Sequence, residues 1–164
     1  MSDTAPPARR ARPAPSARAL GLDLGGRRIG VAICDSGGVL ALPLCTIERS
    51  GDEEADHAAI EQIVVDRGVN VVVVGLPLAL SGQMGSAAVA VAKESRALSE
   101  RLGRSGVEVL TQDERLTTVE ADRVLSQAGK RAKARRKVVD ETAAAVILQA
   151  WLGSRRTEGS RARG

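Results

Sequence analysis

Between Ala19 and Asp35 the chain alternates large and small side chains through two consecutive runs, and this stretch constrains the fold more than any other. Leu20, Leu22 and Leu24 share one parity, while Ala19, Gly21 and Asp23 share the other. A strand turns successive side chains to opposite faces, so the leucines define one face and the small residues the other. Gly25 and Gly26 make a tight turn, after which Ile29, Val31 and Ile33 repeat the bulky parity and Gly30, Ala32 and Cys34 the small one. The hairpin therefore has a core-forming face and a face that another element can approach closely. Asp23 stands on the second. A carboxylate within a leucine-rich strand costs several kcal/mol to bury uncompensated, so it calls for a cation or hydrogen-bond donors.

The remaining elements follow in order. Val39–Ile47 reads as a third strand, completing an antiparallel meander, and Pro43 marks it as an edge or irregular strand. Asp52–Gly68 has helical periodicity, with Ala55, Ala59, Ile60, Ile63 and Val64 on one face and Gly68 as C-cap. The β-branched run Val69–Val74 suits a strand buried on both faces of a parallel sheet, where function gathers at carboxyl ends. A loop from Gly75 to Gly85 leads to a helix over Ser86–Leu102, and Val107–Leu110 is a fifth strand. Thr117 and Glu120 have capping-box spacing, so a helix is expected over Thr117–Gly129, with Asp113 and Glu114 left on the loop before it. Lys130–Lys137 is a basic loop, six of its eight residues being Lys or Arg. The last helix, Val138–Leu152, carries Asp140, Ala143, Ala144, Ile147, Leu148 and Trp151 along one face.

The expected organisation is one α/β domain over residues 18–153, between a Pro/Ala/Arg-rich disordered tail (1–17) and a basic disordered tail (154–164). With 164 residues, 43% of them hydrophobic, the chain can bury one good core. No Phe or Tyr is present and Trp151 is the sole aromatic residue, so Val, Leu, Ile and Ala must build that core. The formal charge of +4 permits an acidic partner. Cys34 and Cys45 lack metal-ligand spacing and read as small buried hydrophobes in a reducing cytosol. His57, the single histidine, lies on a polar helix pattern and is expected at the surface, which leaves a His-based triad without support. No apolar stretch approaches the roughly 18 residues of a membrane span, and the start lacks a hydrophobic signal region, so the expectation is a cytoplasmic protein.

Asp23, Glu114 and Asp140 come from distant segments, each at a strand end or an inward helix face. Each has a structural explanation of its own: Asp140 as a helix-start cap or dipole partner, Glu114 as a solvated loop acid beside Arg115. Together they form an oxygen-only set suited to Mg2+ or Mn2+. Two such ions about 4 Å apart can activate a water and stabilise the leaving oxygen of an in-line displacement, with no His or Cys nucleophile. Asp113 and Glu141 are open as substitutes for their neighbours, although Glu141 is rotated about 100° from Asp140 on an ideal helix.

Four segments give a specific resemblance: Leu22-Asp-Leu-Gly-Gly-Arg-Arg-Ile-Gly-Val-Ala32, Val74-Gly-Leu-Pro-Leu78, Asp113-Glu-Arg-Leu-Thr-Thr-Val-Glu-Ala121 and Val139-Asp-Glu-Thr-Ala-Ala-Ala-Val-Ile-Leu-Gln-Ala-Trp-Leu152. In this order they resemble the YqgF family, small bacterial proteins of ribonuclease H-like fold related to Holliday junction resolvases and regarded as nucleases for the 5′ end of pre-16S ribosomal RNA. The resemblance implies a five-stranded mixed sheet flanked by helices, with Asp23, Glu114 and Asp140 as catalytic and metal-binding residues. The chain departs from the family pattern at Gly26, where relatives carry a hydroxyl residue, and at Ser81 and Met84, which replace acids of the Leu-Pro loop.

For nucleic acid, phosphate contacts are expected from Lys130, Arg131, Lys133, Arg135, Arg136 and Lys137, supplemented by Arg27, Arg28 and Arg115. A solvated mobile loop would carry the same charges; the position just before the Asp140 helix favours substrate binding. Without aromatics for stacking, recognition should rest on backbone charge and shape, which fits structured RNA, pre-16S rRNA in particular, or branched DNA. A sugar-kinase or actin-like ATPase shares the Asp-x-Gly pattern but closes two such domains around ATP, and this chain has length for one. A catalytically silent RNA-binding factor in ribosome assembly is the remaining alternative. Monomer and homodimer are both open.

Overall fold

The computed structural model describes residues 18–79, 81–115 and 132–162, and for 132–141 the backbone alone. The 1–17 tail, the expected Thr117–Gly129 helix, Lys130 and Arg131 lie outside the described residues. The elements are β1 (Ala19–Leu24), β2 (Arg28–Cys34), β3 (Ala41–Glu48), α1 (Glu53–Arg67), β4 (Val71–Leu76), α2 (Ser86–Gly103), β5 (Glu108–Asp113) and α3 (Ala132–Arg161).

The five strands form one sheet in the order β3-β2-β1-β4-β5. β1 pairs antiparallel with β2, and β2 with β3, whereas β1–β4 and β4–β5 are parallel. The meander followed by parallel strands is the expected architecture. Pro43 lies on an edge strand, and the β2–β3 register shifts there, passing from Val31↔Cys45 to Ala32↔Pro43 and skipping Leu44.

Side-chain parity divides the core into two layers. Leu20, Leu22, Leu24, Ile29, Val31, Ile33, Val72 and Val74 pack with Ile60 and Val64 of α1 and with Val91, Leu98 and Leu102 of α2. On the other face Ala19, Ala32, Cys34, Val71 and Val73 pack with Ala144, Ile147, Leu148 and Trp151 of α3. The small-residue face is where α3 comes down onto the sheet. A Cβ added at Gly21 would stand 2.7 Å from the Ala144 carbonyl oxygen and 2.8 Å from Leu148 Cβ, so glycine permits a contact that no other residue allows.

α1 has its expected ends. The Asp52 side chain accepts from Glu54 N at 3.1 Å, and Gly68 closes the helix in the left-handed region at φ 61°. Its inward face differs from expectation: Asp56 and His57 join Ile60 and Val64 there, whereas Ala55 is exposed. His57 is only 2% exposed, not a surface residue. It sits one turn from Ile60 on the same stripe, and Glu94 of α2 meets its Nε2 at 3.0 Å, which satisfies the buried ring.

α3 is longer at both ends than the sequence suggests. It is helical from Ala132, where a basic loop was expected, and runs to Arg161, through residues placed in a disordered tail from 154. Ala, Lys and Arg favour helix, and Gly153 and Gly159 cost only about 1 kcal/mol each. The Arg155 guanidinium lies 4.7 Å from the Trp151 ring centroid, tying the extension to the packed part of the helix. Cys45 is half-buried, not buried.

The Gly21 contact makes a direct prediction. Gly21→Ala should lower stability by about 1–3 kcal/mol in urea unfolding, whereas Gly26→Ala, with nothing within 4 Å of the added Cβ, should leave the midpoint nearly unchanged. Equal midpoints for the two variants would show that α3 does not rest on β1 at this point.

Candidate active site

Two carboxylates, Asp23 and Glu114, lie at the carboxyl end of the parallel strands. Asp23 is half-buried, one residue before the end of β1 and on the face that receives α3. The β1–β4 register ends at Leu22↔Val74, so the next positions along the two strands are Asp23 and Gly75. In β5, Gln112 and Asp113 pair with Gly75 and Leu76, and Glu114 N donates to Leu76 O at 3.1 Å immediately after the strand. The Glu114 side chain then folds back over β4. A Cβ at Gly75 would stand 2.5 Å from Glu114 Oε1 and 2.9 Å from its Cγ, and would also strike Ile147 Cδ1 of α3. The space a side chain would fill at Gly75 is thus taken by the Glu114 carboxylate on its way toward Asp23.

That placement is electrostatically costly. Burial first, then the negative charges of Asp23 and Asp113, push the Glu114 carboxyl up to about 7 from its ordinary 4.5. A bound cation would offset the negative charges that raise Glu114. The donors are carboxylate oxygens, which fit a hard divalent ion such as Mg2+ or Mn2+ and do not suit a soft one.

Asp113 has a different task. Its carboxylate accepts from Arg115 Nε at 2.8 Å and Nη2 at 2.5 Å, and from the Arg115 backbone N–H at 2.9 Å. Hydrogen bonds from Arg115 hold this carboxyl below the usual range. Asp113 is the last residue of β5, not a loop residue, and its carboxylate is engaged by Arg115. Arg115 extends toward the 81–85 loop, its Nη1 lying 3.2 Å from where a Gly82 Cβ would be.

The third expected carboxylate, Asp140, is described by its backbone alone. Ala144 and Leu148 lie over Gly21, while Gln149 accepts from Ala41 N at 2.9 Å near the opposite end of the sheet, so α3 runs antiparallel to β1. One helical turn back from Ala144 is about 6 Å; two residues along β1 from Gly21 is about 6.6 Å. Position 140 of the helix is therefore level with Asp23. Among the described residues no group of three potential metal ligands converges, and Asp23 and Glu114 are the pair brought together.

The cationic residues divide by location. Arg27 is exposed on the β1–β2 turn, a few residues after Asp23 and at the same end of the sheet. Arg28 is half-buried and bound to Glu48 at 2.9 Å, so it stiffens the β2–β3 edge. Lys133, Arg135, Arg136 and Lys137 are on the first turns of α3, which carry them past the end of the sheet where Asp23 lies. Sequence patterns overlooked two contributors. Gly75 was signalled by a lone glycine after four valines, but its role depends on a side chain from a different strand. Arg49, which grips the turn after Asp23, carried no periodic signal.

A family model described as RuvX, a Holliday junction resolvase, matches residues 17–154. The chain belongs to this family. It is the YqgF family of the sequence resemblance. A relative from Desulforudis audaxviator named "Putative pre-16S rRNA nuclease" is 46% identical over 140 residues, covering 85% of this chain and 96% of that protein. One of the same name from Mycobacteroides abscessus is 42% identical over 164 residues, covering 98% and 97%. Among solved structures, Thermus thermophilus RuvC in complex with a Holliday junction substrate aligns with TM-score 0.57 and 14% identity over 85% of this chain and 96% of that one. The yeast mitochondrial Holliday junction resolvase Ydc2 aligns with TM-score 0.53 and 12% identity, covering 84% and 78%. These two share the fold, which is ribonuclease H-like. Among the described residues no helix is long and apolar enough to cross a membrane.

The raised Glu114 pKa fixes the sign of a pH effect in this RuvX-family protein. A carboxyl that holds its proton more tightly when folded stabilises the fold fully below its unfolded value near 4.5, and that contribution is lost as pH rises through about 7. With a chelator present, Glu114→Gln should unfold at a higher temperature than wild type at pH 8, and the difference should vanish below pH about 5. A constant difference across this range would show that Glu114 is not the strained carboxylate.

Proposed function

We propose that this protein is a metal-dependent endonuclease that hydrolyses phosphodiester bonds and acts in the 5′-end processing of pre-16S rRNA. The observation that carries the reading is the Glu114 carboxylate lying over Gly75, the position beside Asp23 on the neighbouring strand, where burial and the negative charges of Asp23 and Asp113 push it up to about 7. Asp23 and Glu114, joined by Asp140 from α3, would hold Mg2+ or Mn2+. Bound there, two ions would supply the activation of a water and the stabilisation of the departing oxygen.

The chain's own residues give the rest. Gly75 keeps β4 free of a side chain at the point where Glu114 must cross it. Asp113 anchors Arg115, whose cationic edge stands beside the 81–85 loop and can meet a phosphate. Arg27 and the cations Lys133, Arg135, Arg136 and Lys137 along α3 would contact the nucleic-acid backbone, with Lys130 and Arg131 in the same role. Trp151 is buried against the sheet, so no described aromatic is available to stack on bases. Recognition then rests on phosphate spacing and helical shape, as structured RNA requires.

The relatives named as pre-16S rRNA nucleases favour RNA, being 42–46% identical over most of both chains. The description of the matching family favours a second reading, cleavage of branched DNA at Holliday junctions. The protein would work in the cytoplasm, as a monomer or homodimer.

Asp23→Asn, Glu114→Gln and Asp140→Asn should each lower cleavage of a structured precursor RNA by at least about 100-fold while leaving its binding intact, and chelation should do the same to the wild type. Full activity in all three variants would remove the site assignment, and full biological activity of Asp23→Asn would instead favour a non-catalytic assembly factor. Replacing Arg135, Arg136 and Lys137 by Gln should weaken binding and flatten its salt dependence by about 0.7 to 0.9 log units per lost phosphate contact, with the chemical step unchanged. Cells depleted of the protein should accumulate 16S precursors with extended 5′ ends. Normal ends, with four-way junctions cleaved in vitro, would move the assignment to DNA.

A further inference from the structure

On the leucine face of the sheet, opposite the carboxylates, lies a buried polar cluster that the nuclease reading does not use. Arg49, just after β3, forks its guanidinium onto Glu94 of α2, Nη1 to Oε1 at 2.7 Å and Nη2 to Oε2 at 3.0 Å. The same Glu94 meets His57 of α1 at 3.0 Å, and Asp56 lies 3.6 Å from Arg49 Nη1 while accepting from Ser50 N and Oγ. Asp56, His57 and Glu94 are all at least nine-tenths buried. Burial opposes the charge on Glu94, yet the hydrogen bonds from Arg49 and His57 outweigh it and hold the carboxyl below its ordinary value. Hydrogen bonding to Glu94 likewise holds Arg49 above the usual arginine value.

The remaining contacts of Arg49 lead back to Asp23. Its Nε donates to Gly25 O at 3.0 Å and its backbone N–H donates to Arg27 O at 2.9 Å, so one residue holds both sides of the β1–β2 turn. Gly25 N in turn donates to Asp23 O at 3.1 Å. The turn is too tight for a side chain at Gly25, whose Cβ would be 2.5 Å from Arg28 O. An unbroken series of hydrogen bonds thus runs from helices α1 and α2, through a rigid guanidinium, to the backbone of the candidate metal ligand.

We propose that Arg49 is a positioning residue: braced by Glu94 and His57, it clamps the β1–β2 turn from behind the sheet and fixes where the Asp23 carboxylate and the exposed Arg27 stand. The proposal rests on the nuclease reading for its effect on chemistry, whereas the clamp itself does not. Guanidinium geometry is essential to it, because three N–H groups pointing in fixed directions serve Gly25 and both oxygens of Glu94 at once. A lysine ammonium at the same place keeps the charge and loses this fork. An error of about 1 Å in a reacting group can cost about 100-fold in rate, so loosening one turn should register in turnover.

Arg49→Lys and Glu94→Gln test the clamp by amide hydrogen exchange and steady-state cleavage of the precursor RNA. In Arg49→Lys the Gly25 amide should exchange at least about tenfold faster while Val73, in the middle of the sheet, stays within about twofold. The kcat should fall by at least about tenfold with KM nearly unchanged, and Glu94→Gln should move both readouts the same way by less. Unchanged Gly25 exchange, or exchange rising equally at Gly25 and Val73, would overturn the proposal, the second outcome marking a merely structural role. Should Arg49→Lys not fold, Glu94→Gln, which keeps the shape of the side chain, decides by the same criteria. Failure of the nuclease reading looks different: cleavage indifferent to Asp23→Asn, with Gly25 exchange still raised in Arg49→Lys, which overturns the role in chemistry and leaves the clamp.

Discussion

The close approach of α3 to the backbone of β1 at Gly21 is the contact on which the rest of the molecule depends. With the Ala144 carbonyl and Leu148 Cβ where a side chain would otherwise be, the helix axis is set by backbone contact, which leaves little freedom to slide. The same helix closes over Gly75 with Ile147, so one rigid element covers two adjacent parallel strands at both of their glycines. Everything at the carboxyl end of the sheet is measured from that interface. Were Gly21 larger, α3 would lift and its first turns would move away from Asp23.

Within that frame the two sides of the sheet handle charge in opposite ways. On the α3 side Glu114 is brought toward Asp23 with burial and like charge both working against ionisation. On the α1/α2 side Glu94 is also buried, yet a guanidinium and an imidazole keep it ionised. The contrast separates a carboxylate whose charge the fold leaves uncompensated, and which the nuclease proposal pairs with a metal ion, from one supplied with a cation by the fold. A single arginine then joins the two regions mechanically, through a turn of three residues.

Much of this architecture was legible in the sequence. The alternation at Leu20–Leu24 and Ile29–Cys34 gave both faces of the hairpin, since strand parity is a local property that tertiary packing rarely reverses. Asp52, Gly68 and Pro43 marked a helix start, a helix end and a sheet edge for equally local reasons. What could not be read locally depended on partners far along the chain. His57 looked polar because its partner, Glu94, is 37 residues away. Asp113 and Glu114 were indistinguishable until the pairing of β5 with β4 placed one against Arg115 and the other over Gly75. The ends of α3 were misjudged because clustered lysines and arginines resemble a solvated loop in composition although they favour helix in conformation. The site was legible as a set of acids, and Asp23 with Glu114 emerged as neighbours only from the register; the roles assigned to them and to Asp140 stand on the nuclease proposal.

The broken register of β3 has a consequence beyond the site. Leu42 of this strand and Leu40 just before it are exposed at the rim of the sheet, a surface that beside a regular strand would template the addition of another chain. Pro43 withholds an N–H and the skip at Leu44 interrupts the spacing of the donors that remain, so an incoming strand finds no continuous ladder to extend. At this edge of the sheet one proline and one skipped residue thus disfavour strand addition beside exposed leucines.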